Sequence, residues 1–196
     1  MRVYVVDNGG QWTHREWRVL KYLGADTKIV PNTTPFDQLQ DADGLVLSGG
    51  APRVGIGDAL GRCAEYLDTA RVPILGICAG HQFMATHFGG RAAPGKTPEF
   101  GSAEVVMDAP DDTILAGLPS KFRAWENHND EVAAMPKGFV KLAHSEACQV
   151  QAMKHEARPL FGLQFHPEVE HTEHGEQIFR NFLAVCERLR AQRPTA

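Results

Sequence analysis

Through roughly the first 90 residues, short apolar runs alternate with segments whose apolar residues recur at helical spacing. Residues 2–7 (RVYVVD) read as a strand that ends at the turn-like NGG. Residues 12–23 read as a helix with Val19, Leu20 and Leu23 on one face and Gly24 as its stop. Further strands are expected at 27–30, 44–50 and 72–77. A second amphipathic helix is expected at 58–69 (Leu60, Cys63, Ala64, Leu67), and a short one at 80–88. This order predicts an α/β fold with a mainly parallel sheet covered on both faces. In the second half the pattern changes. AEVVMD, KFRAW, FVKLAHS, QVQAMKH and PLFGLQF read as strands joined by short turns, which predicts an antiparallel extension. A last helix is expected at 175–190, its stripe formed by Ile178, Phe179, Phe182, Leu183, Cys186 and Leu189, and residues 191–196 read as a frayed tail. No repeat or linker interrupts the chain, so residues 1–190 read as a single domain.

Composition narrows the function classes. With 20 basic against 24 acidic residues, a formal charge of −4 and no basic block, the chain argues against a nucleic-acid-binding surface. No apolar stretch approaches membrane-spanning length, and the N-terminus lacks the pattern of a signal peptide. The four cysteines (63, 78, 148 and 186) are scattered without a C-x-x-C pair, as expected of free thiols in a reducing, cytoplasmic setting.

Loops at the ends of the expected parallel strands carry the candidate chemistry. Ligands of such sheets bind beyond the strands' carboxyl ends, where NGGQ, SGGAPR, GICAGHQ and HPEVEH fall. Gly76-Ile-Cys78-Ala-Gly80, between a strand and a helix, matches the logic of a nucleophile elbow, with glycines on both sides of a sharp turn. A thiol at a helix N-terminus is favoured as thiolate. A lone cysteine is more often a small buried apolar residue, so the reading needs a base. His166 and Glu168 supply it: on an extended segment, i and i+2 side chains point the same way. His166 is then the candidate base and Glu168 its orienting acid. The N–H of Ala79 and a second from the SGG turn, Gly50, are candidate oxyanion donors.

GICAGHQ, LSGG and QFHPEV together resemble the class I, triad-type glutamine amidotransferases, and the resemblance covers nearly the whole chain. It implies a flavodoxin-like three-layer sandwich and hydrolysis of L-glutamine to glutamate and ammonia through a glutamyl thioester on Cys78. Within the family, VVDNGGQWTHR, AWENHNDEV and QFHPEVEHTEHG are similar to the separate amidotransferase subunits of archaeal-type GMP synthetases. That likeness implies a partner ATP-pyrophosphatase subunit, which binds ATP and magnesium and converts xanthosine monophosphate to GMP. It further implies substrate contacts at Gln82, Asn127, His128 and Asn129. Two departures stand out: SGGAP where the family has SGGP, and ENHND where it often has a serine before the histidine. LSGGAP also lacks the pattern of a pyrophosphatase phosphate loop, so this chain alone is expected to bind neither ATP nor xanthosine monophosphate and to hold no cofactor. A free subunit is expected to hold a poorly aligned Cys78–His166 pair, or a misplaced oxyanion donor, until its partner binds.

The remaining residues read structurally. His171 and His174 form an H-x-x-H pair without a third ligand, so no metal is expected, and Thr172 is the expected helix cap. Trp12, Trp17 and Trp125 read as packing residues, Cys63 and Cys186 as core, and His81 has no assigned role. The alternatives are the glutaminase subunit of another synthetase, of the anthranilate or aminodeoxychorismate type, or a Cys-elbow hydrolase or chaperone of the same fold.

Overall fold

The computed structural model describes residues 1–109 and 112–193. Its elements are β1 (Arg2–Asp7), α1 (Thr13–Tyr22), β2 (Asp26–Pro31), β3 (Gly44–Leu47), α2 (Cys63–Thr69), β4 (Ile74–Ile77), α3 (Ala79–His87), β5 (Arg91–Met107), β6 (Lys121–Ala134), β7 (Phe139–His144), β8 (Ala152–His155), β9 (Leu160–Leu163) and α4 (Gly175–Ala191), with 3-10 turns at Phe36–Leu39 and Val54–Ile56. One nine-stranded sheet runs in the order β2-β1-β3-β4-β9-β8-β7-β5-β6. The pairs from β2 to β9 are parallel, and those from β9 to β6 are antiparallel.

β3, β4 and β9 are buried at every position, as strands covered on both faces must be. Two apolar layers flank the sheet. One joins Val3, Val5, Val46, Leu75 and Leu163 to Phe179 and Phe182 of α4. The other joins Tyr4, Leu45 and Ile74 to Tyr66 and Leu67 of α2 and Met84 of α3. The sheet thus sits between helices as a three-layer sandwich.

Several expected elements differ in extent. The helix expected at 58–69 forms only from Cys63, because Gly57 and Gly61 adopt left-handed backbone that interrupts a helix. The strand expected at 44–50 stops at Leu47, after which Ser48 hydrogen-bonds back to Val6 through its N–H. KFRAW and AEVVMD are only the ends of a long hairpin: β5 spans 17 residues and β6 spans 14. AWENHNDEV lies within β6. PLFGLQF, grouped by sequence with the antiparallel strands, inserts beside β4 in parallel and carries its following loop to the same edge as the elbow. Of the expected tail, Ala191 is still helical and Arg193 sits 3.4 Å from Asp43, while 194–196 lie outside the described residues.

The stripe of α4 predicts the behaviour of its centre. Phe182→Ala removes a fully buried ring and is expected to lower stability by about 3–5 kcal/mol in urea unfolding; a loss below about 1 kcal/mol would show that the α4 stripe is not core.

Candidate active site

The register Leu47–Gly76–Gly162 aligns the ends of β3, β4 and β9, so Ser48–Gly50, Cys78 and His166 leave the sheet on one edge. Cys78 is one of two described non-glycine residues with positive φ (φ 49°, ψ −105°) and directly precedes α3. Such backbone costs a non-glycine residue about 1–3 kcal/mol. Three contacts hold it: the Cys78 N–H donates to Leu163 O at 2.7 Å, the Gln82 N–H donates to Cys78 O at 3.0 Å, and α3 packs directly on β3. The last requires Gly80, where a Cβ would collide with the Leu47 carbonyl oxygen. Gly50 is equally constrained, since a Cβ there would strike Asn8 O. The SGG turn is therefore a close backbone approach as well as a strand end.

His166 and Glu168 meet, with Nδ1 and Oε1 2.6 Å apart and both side chains buried. The route differs from the extended segment expected. The Val169 N–H donates to His166 O at 3.3 Å, so HPE lies in a turn. Two neighbours pin that turn to β6: the His166 N–H donates to Trp125 O at 3.0 Å, and Thr172 Oγ1 donates to His166 O at 2.6 Å while accepting from the Trp125 N–H at 2.9 Å. Thr172 is thus a clip between strand and turn and not the α4 cap, which falls at His174 in left-handed backbone. His171 packs its ring on Trp125 at 4.9 Å. Trp12, read from sequence as a packing residue, stands edge-on to the His166 ring at 4.5 Å and lines the cavity.

Two cavities meet at Cys78. The first, of about 260 Å³, lies between the NGGQ loop, Glu16, Gly49, His166 and Glu168. The second, of about 180 Å³, is lined by Arg53, Ala79, Gln82, Asn129 and Asp130. Gly50, Ala51, Cys78 and Asn127 border both. The structure thus gathers every candidate residue named from sequence around one thiol, in different capacities. Asn127 presents its carbonyl 4.0 Å from Cys78 Sγ. Gln82 spends its amide nitrogen inside the protein, donating to Asp130 O at 2.6 Å and Gln164 Oε1 at 3.0 Å. His128 borders the second cavity, but both ring nitrogens are engaged, Nδ1 with Asp130 O and Nε2 with Glu99 and Glu126.

Sequence reading missed Gln164, Arg53 and Glu16. Gln164, fully buried, points Nε2 at Cys78 Sγ from 3.7 Å. Arg53 forks onto Asp130 at 2.8 and 2.5 Å and fixes the strand that carries Asn127–Asn129. A polar residue closing the strand after Gly162 was the signal for Gln164; nothing local distinguishes the other two. His81 now has a role: fully buried, its Nε2 lies 3.2 Å from Val150 O, and burial pushes its pKa down to about 3, so it is a neutral packing residue.

The electrostatics move the buried His166 away from its solution value as well. Burial lowers the pKa of His166, but the charge of Glu168 and the nearby thiol outweigh it and hold the imidazole well above its ordinary 6.5. His166 Nε2 nevertheless has no hydrogen-bond partner, and the hydrogen bonds of Sγ are to Asn127 and Gln164. The thiol still lies near enough to the imidazole to help raise its pKa.

The family model for glutamine amidotransferase class-I matches residues 4–186. The chain belongs to this family. Among its relatives, a glutamine-hydrolyzing GMP synthase subunit of Thermoplasma acidophilum is 54% identical over 188 residues, covering 95% of this chain and 93% of that protein. The corresponding subunit of Thermococcus kodakarensis is 49% identical, covering 94% and 98%. A crystal structure ascribed to a GMP synthase subunit from T. acidophilum superposes with a TM-score of 0.93 at 53% identity, covering 97% of this chain and 96% of that one. A glutamine amidotransferase from Thermotoga maritima shares the fold, with a TM-score of 0.70 at 19% identity over 98% of this chain and 85% of its own. No helix among the described residues is long and apolar enough to cross a membrane.

For this amidotransferase, the ion cluster behind Asn127 gives a pH prediction. Burial lowers the pKa of His128, but Glu126 and Glu99 outweigh it and push it up to about 10. A pKa raised on folding gives stability that is complete below about 6.5 and is lost as pH rises through about 10. Wild-type unfolding free energy is expected to fall by about 1–2 kcal/mol between pH 7 and 8.5, below the range in which the buried thiols ionise on unfolding, and to stay nearly level there in His128→Gln; parallel curves in urea would sink this assignment.

Proposed function

We propose that this chain is the glutamine-hydrolysing subunit of a GMP synthase and that Cys78, His166 and Glu168 carry the reaction. The strained elbow that sets Cys78 at the mouth of α3, on the same cavity as a His166–Glu168 pair 2.6 Å apart, is the observation that carries this reading. With its proton on His166 Nε2 as an imidazolium–thiolate pair, Cys78 Sγ attacks the side-chain amide carbon of L-glutamine. The developing oxyanion sits against the backbone N–H groups of Ala79 and Gly50. His166 then gives its proton to the departing nitrogen, the C–N bond breaks, and ammonia leaves a glutamyl thioester. Water, losing a proton to His166, attacks the thioester carbon; the C–S bond breaks, the thiol is restored and glutamate is released. Glu168 holds the imidazole by Nδ1 and stabilises imidazolium in both halves. Gln82, Asn127, His128 and Asn129 frame the amino-acid end of the substrate, Asn127 through its carbonyl.

The ammonia goes to an ATP-pyrophosphatase partner, which holds ATP and magnesium and turns xanthosine monophosphate into GMP in the cytoplasm. The glutamine-hydrolyzing GMP synthase subunits that are 54% and 49% identical to this chain support a division of labour with a separate synthetase. His166 Nε2 makes no hydrogen bond of ordinary geometry, and docking of the partner tightens its contact with Sγ.

Ammonia release from glutamine, measured with and without the synthetase partner, tests the reading. Cys78→Ala is expected to drop to background, and Glu168→Gln to lower kcat on the order of 10²–10⁴-fold. A wild-type complex that releases no ammonia, or a Cys78→Ala complex that still does, overturns it. The chain alone is expected to show no saturable binding of ATP by calorimetry, and micromolar binding would contradict the division of labour.

A further inference from the structure

We propose that Glu16, on α1, is a positioning residue of this site that acts through Glu168 and fixes the carboxylate that orients His166. The inference rests on the reading of Cys78, His166 and Glu168 given above.

Three buried polar atoms around the first cavity have no hydrogen-bond partner: His166 Nε2, Glu168 Oε2 and Glu16 Oε2. The first awaits the thiol. The other two are both acceptors while ionised, and buried carboxylate oxygens are ordinarily satisfied. Glu168 uses Oε1 on His166, which leaves Oε2 in need of a donor. Glu16 is 1% exposed and lines the same cavity, and a proton on it satisfies both orphaned oxygens, directly or across one water. The groups facing Glu16 agree. Burial and the charges of Glu168 and, at the end of β1, Asp7 raise its pKa, against the opposing effects of His166 and the Gly49 N–H, and the balance lies well above the ordinary carboxyl value. That balance favours the neutral acid, the form that can donate.

The location of α1 gives Glu16 its leverage. Thr13 Oγ1 donates to Asp7 Oδ1 at 3.0 Å, and Trp12 stands against His166, so α1 begins locked to the end of β1 and to the imidazole. The NGGQWTHRE stretch thereby contributes a wall, an aromatic edge and a proton donor to a triad whose other members come from β4 and the loop after β9. An amide can replace a neutral carboxyl as donor at Glu16; an apolar side chain of the same length cannot.

The assembled complex with its synthetase partner is compared as wild type, Glu16→Gln and Glu16→Met in two assays: ammonia release across pH, and Cys78 alkylation by iodoacetamide across pH, which needs no turnover. Cys63, Cys148 and Cys186 are fully buried and serve as an internal blank. Glu16→Gln is expected to keep kcat within about threefold and to leave the acid limb in place. Glu16→Met is expected to lower kcat by about tenfold or more with KM within about twofold, and to move the alkylation midpoint to higher pH as His166 loses its fixed partner. A Glu16→Met complex that matches wild type in both assays overturns the proposal. So does a Glu16→Gln complex impaired as much as Glu16→Met, or one whose acid limb moves to lower pH, since that shift marks an ionised Glu16. If the wild type releases no ammonia while alkylation responds as described, the functional reading fails and the role of Glu16 toward His166 stands.

Discussion

Cys78 is held in a backbone conformation that it would not adopt alone, and the parallel seam β3-β4-β9 exists around that fact. A strain of about 1–3 kcal/mol persists only where the surroundings over-determine it. The bond from Cys78 N–H to Leu163 O ties the elbow to β9, and the contact of Gly80 with Leu47 presses α3 onto β3. Because the same two strands deliver Gly49–Gly50 and His166, the interactions that enforce the strain also bring the remaining candidate groups to the thiol. Positioning and stability are set by one set of contacts.

The long hairpin adds a second layer of control. β6 lies at the far end of the sheet order, yet its carbonyls at Trp125, Asn127 and Asp130 reach His166, Cys78 and Gln82 respectively. Behind it, His128 carries positive charge between Glu99 and Glu126, and in front Asp130 is forked by Arg53. Fully buried charges are stable only when paired, so this segment is anchored on both sides. The Cys78–Asn127 contact belongs to a braced strand, and a displacement of β6 would reach the thiol, the histidine turn and Gln82 together.

Burial explains why the cysteines divide in role. Cys63, Cys148 and Cys186 are fully buried, and desolvation raises their thiols, that of Cys63 to about 12. They are poor nucleophiles. Cys78 alone borders the two cavities and faces donors from Gln164, the end of α3 and an imidazole held by a carboxylate.

Local sequence determined the parallel half, the elbow, the HPE pair and the α4 stripe, because strand periodicity, glycine punctuation and helical spacing act within a few residues. It overreached where a left-handed glycine cut the helix before Cys63, and where Thr172 was read as a cap. Only the tertiary structure decided which strand adjoins β4, that β6 closes over the thiol, and that Trp12 and Glu16 belong to the site. Those outcomes depend on contacts between residues far apart in the chain, such as Trp12 against His166, where no spacing rule operates. The chemistry of Cys78, His166 and Glu168 is written in short motifs; the environment that sets their protonation is made by packing.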